Sequence, residues 1–133
     1  MKRLNCGLVL GLLLLAGCSS GQKTAANDRY AGLEDEIHAW KAEVETTHPS
    51  CKVKPDGQKC EMFDIACKAE RVIAPEEQAR GVTAKLVADM TWSGFDDKGV
   101  SQPASAAALF VKTNGAWTHS PYKAVNPESC ADL

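Results

Sequence analysis

Residues 109–119 read LFVKTNGAWTH and contain the clearest structural signal in the sequence. The Asn114-Gly115 pair stands between two apolar runs, and this dipeptide in that setting predicts a two-residue turn between antiparallel strands. The hairpin extends over about residues 105–122. A two-residue turn also fixes the register. The facing pairs are Thr113 with Ala116, Lys112 with Trp117, Val111 with Thr118, and Phe110 with His119.

One side of this hairpin is a candidate binding face, because the register places Phe110, Lys112, Trp117 and His119 together. A Lys112 ammonium over the Trp117 ring would form a cation–π pair, and His119 would contact a ligand. The alternative is a core edge covered by a helix, with the Lys112 carbon chain lying along it and its charge reaching water. The residue types favour the covered edge.

A further strand precedes the hairpin at about residues 81–93. After Gly81 the apolar residues recur with a period of two, which is typical of a strand with one buried face. These residues are Val82, Ala84, Leu86, Ala88, Met90 and Trp92. A polar loop at residues 94–103 then leads into the hairpin.

Helical spacing prevails before this strand. Apolar residues three and four apart predict a helix from Asp28 to about Thr46, which Pro49 ends. They are Tyr30, Leu33, Ile37, Trp40 and Val44. Because they span barely two heptads, packing on the chain's own sheet is favoured over a coiled coil. A less regular pattern predicts a second helix over residues 58–73, which Pro75 ends.

The first seventeen residues have the three parts of an export signal. Lys2 and Arg3 are basic, residues 8–15 are apolar, and Ala16 and Gly17 are small. At about 1.5 Å per residue the apolar run is too short for a hydrocarbon core of about 30 Å, so it is not a permanent span.

The motif Leu15-Ala16-Gly17-Cys18 closely resembles the lipobox of bacterial lipoproteins. The resemblance implies that residues 1–17 are removed and that Cys18 carries acyl chains such as palmitate, which anchor the protein to a membrane. In that family an Asp after the cysteine tends to retain the protein at the inner membrane. Here Ser19 follows, so the resemblance implies the periplasmic side of the outer membrane of a Gram-negative host.

Removal of residues 1–17 leaves 116 residues with 13 basic and 17 acidic side chains, a net charge of −4. An acidic chain of this kind is not expected to bind nucleic acid. Residues 18–27 are small and polar and predict a lipidated flexible tether. Residues 28–133 then form a single small domain.

Four cysteines remain for disulfides in an oxidising compartment: Cys51, Cys60, Cys67 and Cys130. On the predicted second helix Cys60 and Cys67 lie about 10.5 Å apart along the axis, beyond the Cα separation of roughly 4.4 to 6.8 Å that a disulfide requires. Cys51 therefore pairs with Cys60 or with Cys67, and Cys130 pairs with the other. We prefer Cys51–Cys60 with Cys67–Cys130, while the exchanged pairing stays open.

Motifs for catalysis, metal binding or a cofactor are missing from the sequence. No two of His38, His48 and His119 have the spacing that brings metal ligands together on a helix, and the Asp96-Asp97 loop lacks the alternating oxygen ligands of a calcium site. No C-x-x-C pair, serine elbow or phosphate loop occurs. The sequence therefore predicts no enzyme, no metal and no cofactor.

The element order predicts an α+β fold in which two N-terminal helices pack on a small antiparallel sheet held by disulfides. Residues 81–122 resemble the curved sheets of cystatin-like and NTF2-like folds, a likeness that carries over no functional residue. We expect a non-catalytic binding or structural role in the cell envelope, with an envelope protein as partner. The alternatives are a small-ligand module with its pocket at Leu86, Phe110 and Trp117, or a hydrolase inhibitor acting through the loop of residues 96–103.

Overall fold

The computed structural model describes residues 29–133. The predicted signal, the lipobox with Cys18 and the tether of residues 18–27 lie outside the described residues. Three helices and four strands occur in the described part. In chain order they are α1 (Leu33–Thr47), α2 (Pro49–Lys52), β1 (Glu61–Glu70), α3 (Pro75–Ala79), β2 (Val82–Phe95), β3 (Ser101–Thr113) and β4 (Ala116–Tyr122).

The strands form one antiparallel sheet in the order β1-β2-β3-β4. The predicted hairpin and its register are confirmed, since Thr113 pairs with Ala116 and Phe110 with His119. The predicted strand before it is also confirmed, but it runs further. Phe95 pairs with Ser101, so only residues 96–100 form the loop. The α+β class with an antiparallel sheet and two disulfides is thus observed.

The second predicted helix is wrong, because most of residues 58–73 form strand β1. Along β1 the half-buried residues alternate with exposed ones from Phe63 to Glu70. This period of two is the signature of a strand with one covered face, and pairing with the edge of β2 gives the backbone its hydrogen bonds. Register shifts interrupt that pairing at two places, which blurs the alternation in the sequence.

Helix α1 begins later than predicted, at Leu33 instead of Asp28. Gly32 precedes it with φ +85°, a left-handed conformation that glycine adopts without strain. The Ala31 carbonyl, just before Gly32, accepts hydrogen bonds from the sheet. Trp117 Nε1 donates to Ala31 O at 2.9 Å, and Lys112 Nζ donates to the same carbonyl at 3.3 Å.

The two faces of the sheet are covered by different parts of the chain. On the helix-side face, buried residues of α1 cluster with alternate residues of β2 and with Phe110. On the tail-side face, Val87 and Ala107 cluster with Val125 and Cys130 of the C-terminal tail, residues 123–133. None of the helices in residues 29–133 combines the length and apolarity needed to span a bilayer.

The disulfides are Cys51–Cys60 and Cys67–Cys130, which is the preferred pairing. Their Cα atoms are 5.4 and 5.6 Å apart. The helical argument against a Cys60–Cys67 bond is wrong, since Cys60 directly precedes strand β1 and Cys67 lies within it. At about 3.3 Å per residue an extended segment holds these two cysteines even further apart.

Candidate functional site

The predicted binding face lies under α1 and the residues before it. Phe110 is fully buried, and its ring meets the Trp40 ring edge to face at 5.5 Å. Lys112 and Trp117 are also buried, with the Lys112 ammonium 5.8 Å from the centre of the Trp117 ring. The cation–π contact is therefore present, but it forms part of the anchorage of α1 to the hairpin.

His119, the fourth residue of that face, joins β4 to α1. Its Nδ1 lies 2.7 Å from Glu36 Oε1, and its Nε2 lies 2.8 Å from Glu43 Oε2. Burial lowers the imidazole pKa, but the hydrogen bonds and charges of the two glutamates more than offset this, so the pKa of His119 is raised above its ordinary value. A protonated His119 donates to both carboxylates.

The opposite, tail-side face carries an open groove of about 660 Å³. This volume falls within the range of small-molecule sites, about 300 to 1,000 Å³. One end of β2, the facing end of β3, the start of β1 and the tail form its walls. The lining residues are Met62, Asp89, Thr91, Trp92, Ser93, Ser101, Gln102, Pro103, Ala104, Ser105, Val125 and Pro127.

Asp89 is the unusual member of this groove. It is only 5 % exposed, yet its carboxylate has neither a hydrogen-bond partner nor a cation within 4 Å among residues 29–133. Every fully enclosed side-chain nitrogen or oxygen in this part of the chain has a partner. The Asp89 oxygens therefore keep an opening, and the opening is the groove that Asp89 lines. Burial raises the pKa of this carboxyl.

Hydroxyl groups stand beside Asp89 on the same face. Thr91 follows two residues along β2 and pairs across the sheet with Ser105 of β3. Neither hydroxyl has a hydrogen-bond partner among the described residues. Ser93 and Ser101 bond to each other at 2.9 Å further along. The groove thus offers one carboxylate and two unengaged hydroxyls, with apolar walls at Pro103, Val125 and Pro127.

The tail that forms one wall is held in place by several bonds. Cys130 is joined to Cys67 of β1, and the Arg71 guanidinium donates to the Cys130 carbonyl at 2.6 Å and to Asp132 at 3.1 Å. The Tyr122 hydroxyl donates to the same carboxylate at 3.0 Å. Val125 is buried against the sheet in the segment that these bonds hold, so this wall of the groove is fixed in position.

A serine and a histidine lie in contact at the start of α2. Ser50 Oγ lies 2.9 Å from His48 Nδ1, and the Ser50 backbone N–H donates to that nitrogen. Trp92 Nε1 donates to Ser50 Oγ at 3.0 Å, and burial lowers the pKa of His48. In this arrangement His48 caps the helix and Ser50 satisfies a buried indole. In the described chain no carboxylate orients the imidazole.

The remaining predicted positions are scattered. His38 is exposed on α1, whereas Asp96 organises the β2–β3 loop by accepting hydrogen bonds from the backbone N–H groups of Lys98 and Val100. Within residues 29–133 no three His, Cys, Asp or Glu side chains are grouped as a metal site would require.

The sequence prediction missed Asp89, because Asp89 stands in the alternation of β2 where solvent-facing residues belong. One signal was present in the facing strand. Residues 107–110 read AALF without a polar position, which is typical of a strand covered on both faces. With Ala107 opposite Asp89, this run indicates that the Asp89 face is covered as well.

The chain matches no protein-family model, and neither the curated proteins nor the solved structures contain a significant match to it. The candidate site is therefore defined by its own geometry.

Proposed function

We propose that this protein is a lipoprotein on the periplasmic side of the outer membrane that binds another envelope component without catalysing a reaction. The observation that carries the binding role is the Asp89 carboxylate, buried and unpartnered in the tail-side groove. Proteins seldom retain such a group, because an unpaired buried carboxylate costs folding free energy. A partner that enters the groove would supply the missing contacts.

The cellular address in this proposal is supported by the lipobox at residues 15–18 and by Ser19. Two disulfides in a chain of this size accord with an oxidising compartment. The acyl chains at Cys18 and the polar residues 19–27 would leave the domain attached but able to reach its partner.

The proposal takes α1 as the permanent cover of the helix-side face. Phe110 and Trp117 are buried there, and Leu86, also buried, lines a smaller pocket of about 380 Å³ beside Tyr30 and Leu33. The binding site of the proposal is accordingly the tail-side groove, and the helix-side residues act as structural core.

The anchor is tested by replacing the lipidated residue. Cys18→Ser should release the protein from outer-membrane fractions and leave residues 1–17 uncleaved, which intact-mass measurement detects. Cys6→Ser is the matched control, since Cys6 lies inside the predicted signal. A Cys18→Ser protein that stays membrane-bound with unchanged mass contradicts the lipoprotein assignment.

The binding role is tested by photo-crosslinking in intact cells. A crosslinking residue at Met62, which is 82 % exposed on the groove rim, should capture a defined partner. The same residue at Val72, which is 89 % exposed outside the groove lining, is the control. Equal capture at both positions, or no adduct together with no co-purifying small molecule in native mass spectrometry, contradicts the groove as the binding site.

A second candidate function, inhibition of a hydrolase, is favoured by the β2–β3 loop. Residues 96–100 are held by the two bonds to the Asp96 carboxylate and by a backbone pair between Asp96 and Val100, while Val100 is 59 % exposed. A rigid exposed loop suits an enzyme cleft. If it inhibits a cell-wall glycosidase or peptidase, Asp96→Ala should abolish inhibition and Asp97→Ala should preserve it. Inhibition insensitive to Asp96→Ala contradicts this function.

A further inference from the structure

We propose that the tail-side groove binds the primary ammonium group of an organic ligand, with Asp89 as its counter-charge and the hydroxyls of Thr91 and Ser105 as further acceptors. The inference rests on the proposed binding role of the groove and adds the chemistry of what is bound.

The charge of the ligand follows from Asp89. Asp89 is only 5 % exposed as a residue, and no Lys, Arg or His of residues 29–133 lies within 4 Å of its carboxylate. The cations of neighbouring segments are engaged with other acids. Lys85 binds Glu77 at 2.7 Å, and Arg71 and Lys123 both bind Asp132 at 3.1 Å. The proposal assigns the opposite charge to a ligand, which in a partly dry groove would be held more strongly than at the surface.

An ammonium fits the donor geometry better than a metal ion or a guanidinium. Divalent cations such as calcium take six to eight oxygen ligands, usually several of them carboxylates, whereas the groove holds one carboxylate. A guanidinium presents a planar fork of five donors. An ammonium has three donors pointing in different directions, which match the carboxylate and the unengaged hydroxyls of Thr91 and Ser105.

The remaining groove residues indicate the chemistry of the part of the ligand attached to the ammonium. Pro103, Val125 and Pro127 give apolar walls, and the exposed Met62 side chain stands at the rim. These surfaces would pack on a short carbon chain attached to the ammonium. A lysine side chain of a protein or peptide and a free alkylamine both have this chemistry, so the experiment separates them.

The test is isothermal titration of the acylated protein in detergent micelles at pH 7.5. The probes are Nα-acetyl-lysine methylamide, n-hexylamine and the uncharged 1-hexanol. We expect an ammonium probe to bind at least tenfold more tightly than hexanol. Tighter binding of the lysine derivative assigns the ligand to a protein side chain, and tighter binding of hexylamine assigns it to a free amine.

Three variants test whether the ammonium probes bind at Asp89 and Ser105. Asp89→Asn should weaken ammonium binding at least tenfold, and Ser105→Ala should weaken it by a smaller factor. Asp64→Asn, which removes an exposed carboxylate of β1 outside the groove lining, should leave it unchanged. Thermal unfolding of each variant verifies that it is folded, which is expected for Asp89→Asn because the substitution removes a buried charge.

The outcomes separate the inference from the proposed function. If hexanol binds as tightly as hexylamine, or if Asp89→Asn binds the ammonium as well as the native protein does, the ammonium inference is overturned while the groove stays a binding site. If none of the probes binds, the inference is likewise overturned. The proposed function then depends on the crosslinking result at Met62.

Discussion

The imidazole Nδ1 of His119 in β4 lies only 2.7 Å from Oε1 of Glu36 in α1. The His119 side chain is 14 % exposed and that of Glu36 is 23 % exposed, so water weakens this pair less than it weakens the surface ion pairs. The pair connects the last strand of the sheet to the first helix, 83 residues earlier in the chain.

This contact predicts that stability falls as the pH rises. The pKa of His119 is raised in the folded protein, so the stabilisation is fully present below the ordinary histidine value near 6.5 and is lost as the pH rises through the higher folded value. His119→Gln should therefore lower the free energy of unfolding by about 1 kcal/mol at pH 5.5 and by much less at pH 9. Urea denaturation at both pH values measures the difference.

His38→Gln is the matched control, because His38 is an exposed histidine on the same helix. It should change stability by the same small amount at both pH values. A His119→Gln protein whose loss of stability is equal at the two pH values would show that the ion pairs to α1 contribute nothing.

Replacing Asp89 should stabilise the protein, the opposite of replacing His119, although both groups make the native protein less stable as the pH rises. Its pKa is raised by burial, so the folded state disfavours the charge, and the resulting loss of stability is present above the folded pKa and vanishes below the unfolded value near 3.9. Asp89→Asn should raise the free energy of unfolding by roughly 1 to 2 kcal/mol at pH 7 and lose this advantage near pH 3. Denaturant titrations compare it with Asp64→Asn, which should show no such gain. A destabilised Asp89→Asn protein would mean that the carboxylate has a structural partner.

The two disulfides should differ in what they protect. The sequence separations are 63 and 9 residues, for which the chain-entropy relation gives about 4 kcal/mol for Cys67–Cys130 and about 2.5 kcal/mol for Cys51–Cys60. Replacing Cys67 and Cys130 by alanine should also free the tail, so hydrogen exchange should accelerate at residues 125–132. Replacing the other pair should leave exchange in the tail unchanged. Equal hydrogen-exchange rates in the tail of both double variants would contradict the role of Cys67–Cys130 in holding the tail.

Gly94 predicts a coupling with Ser50. A β-carbon at Gly94 would lie 2.6 Å from Ser50 Oγ and 3.2 Å from the Ser50 carbonyl oxygen, close enough to displace the hydroxyl that accepts from Trp92. Gly94→Ala should cost roughly 2 kcal/mol. In a Ser50→Gly background the same substitution should cost less, and a double-mutant cycle measures the coupling. Strictly additive effects would show that the two residues do not compete for space.

The local sequence was sufficient to predict the hairpin, its register and strand β2. Asn114-Gly115 acts locally, because a two-residue turn fixes one strand pairing whatever surrounds it. The alternation of apolar residues after Gly81 depends only on which face of the strand is exposed to solvent. The apolar stripe of α1 from Leu33 to Val44 could also be predicted from the sequence. The residue at which α1 begins could not, because the Ala31 carbonyl accepts a hydrogen bond from Trp117, a residue 86 positions away.

Long-range contacts, by contrast, determine strand β1 and the candidate site. Residues 61–70 are extended because the edge of β2 offers them hydrogen bonds, and pairing partners 16 to 32 residues away leave only a weak trace in the local pattern. Asp89 occupies a position in β2 that alternation assigns to solvent. It became buried because the tail, drawn across that face by Cys67–Cys130, excludes water from one side of the sheet without supplying the carboxylate with a partner.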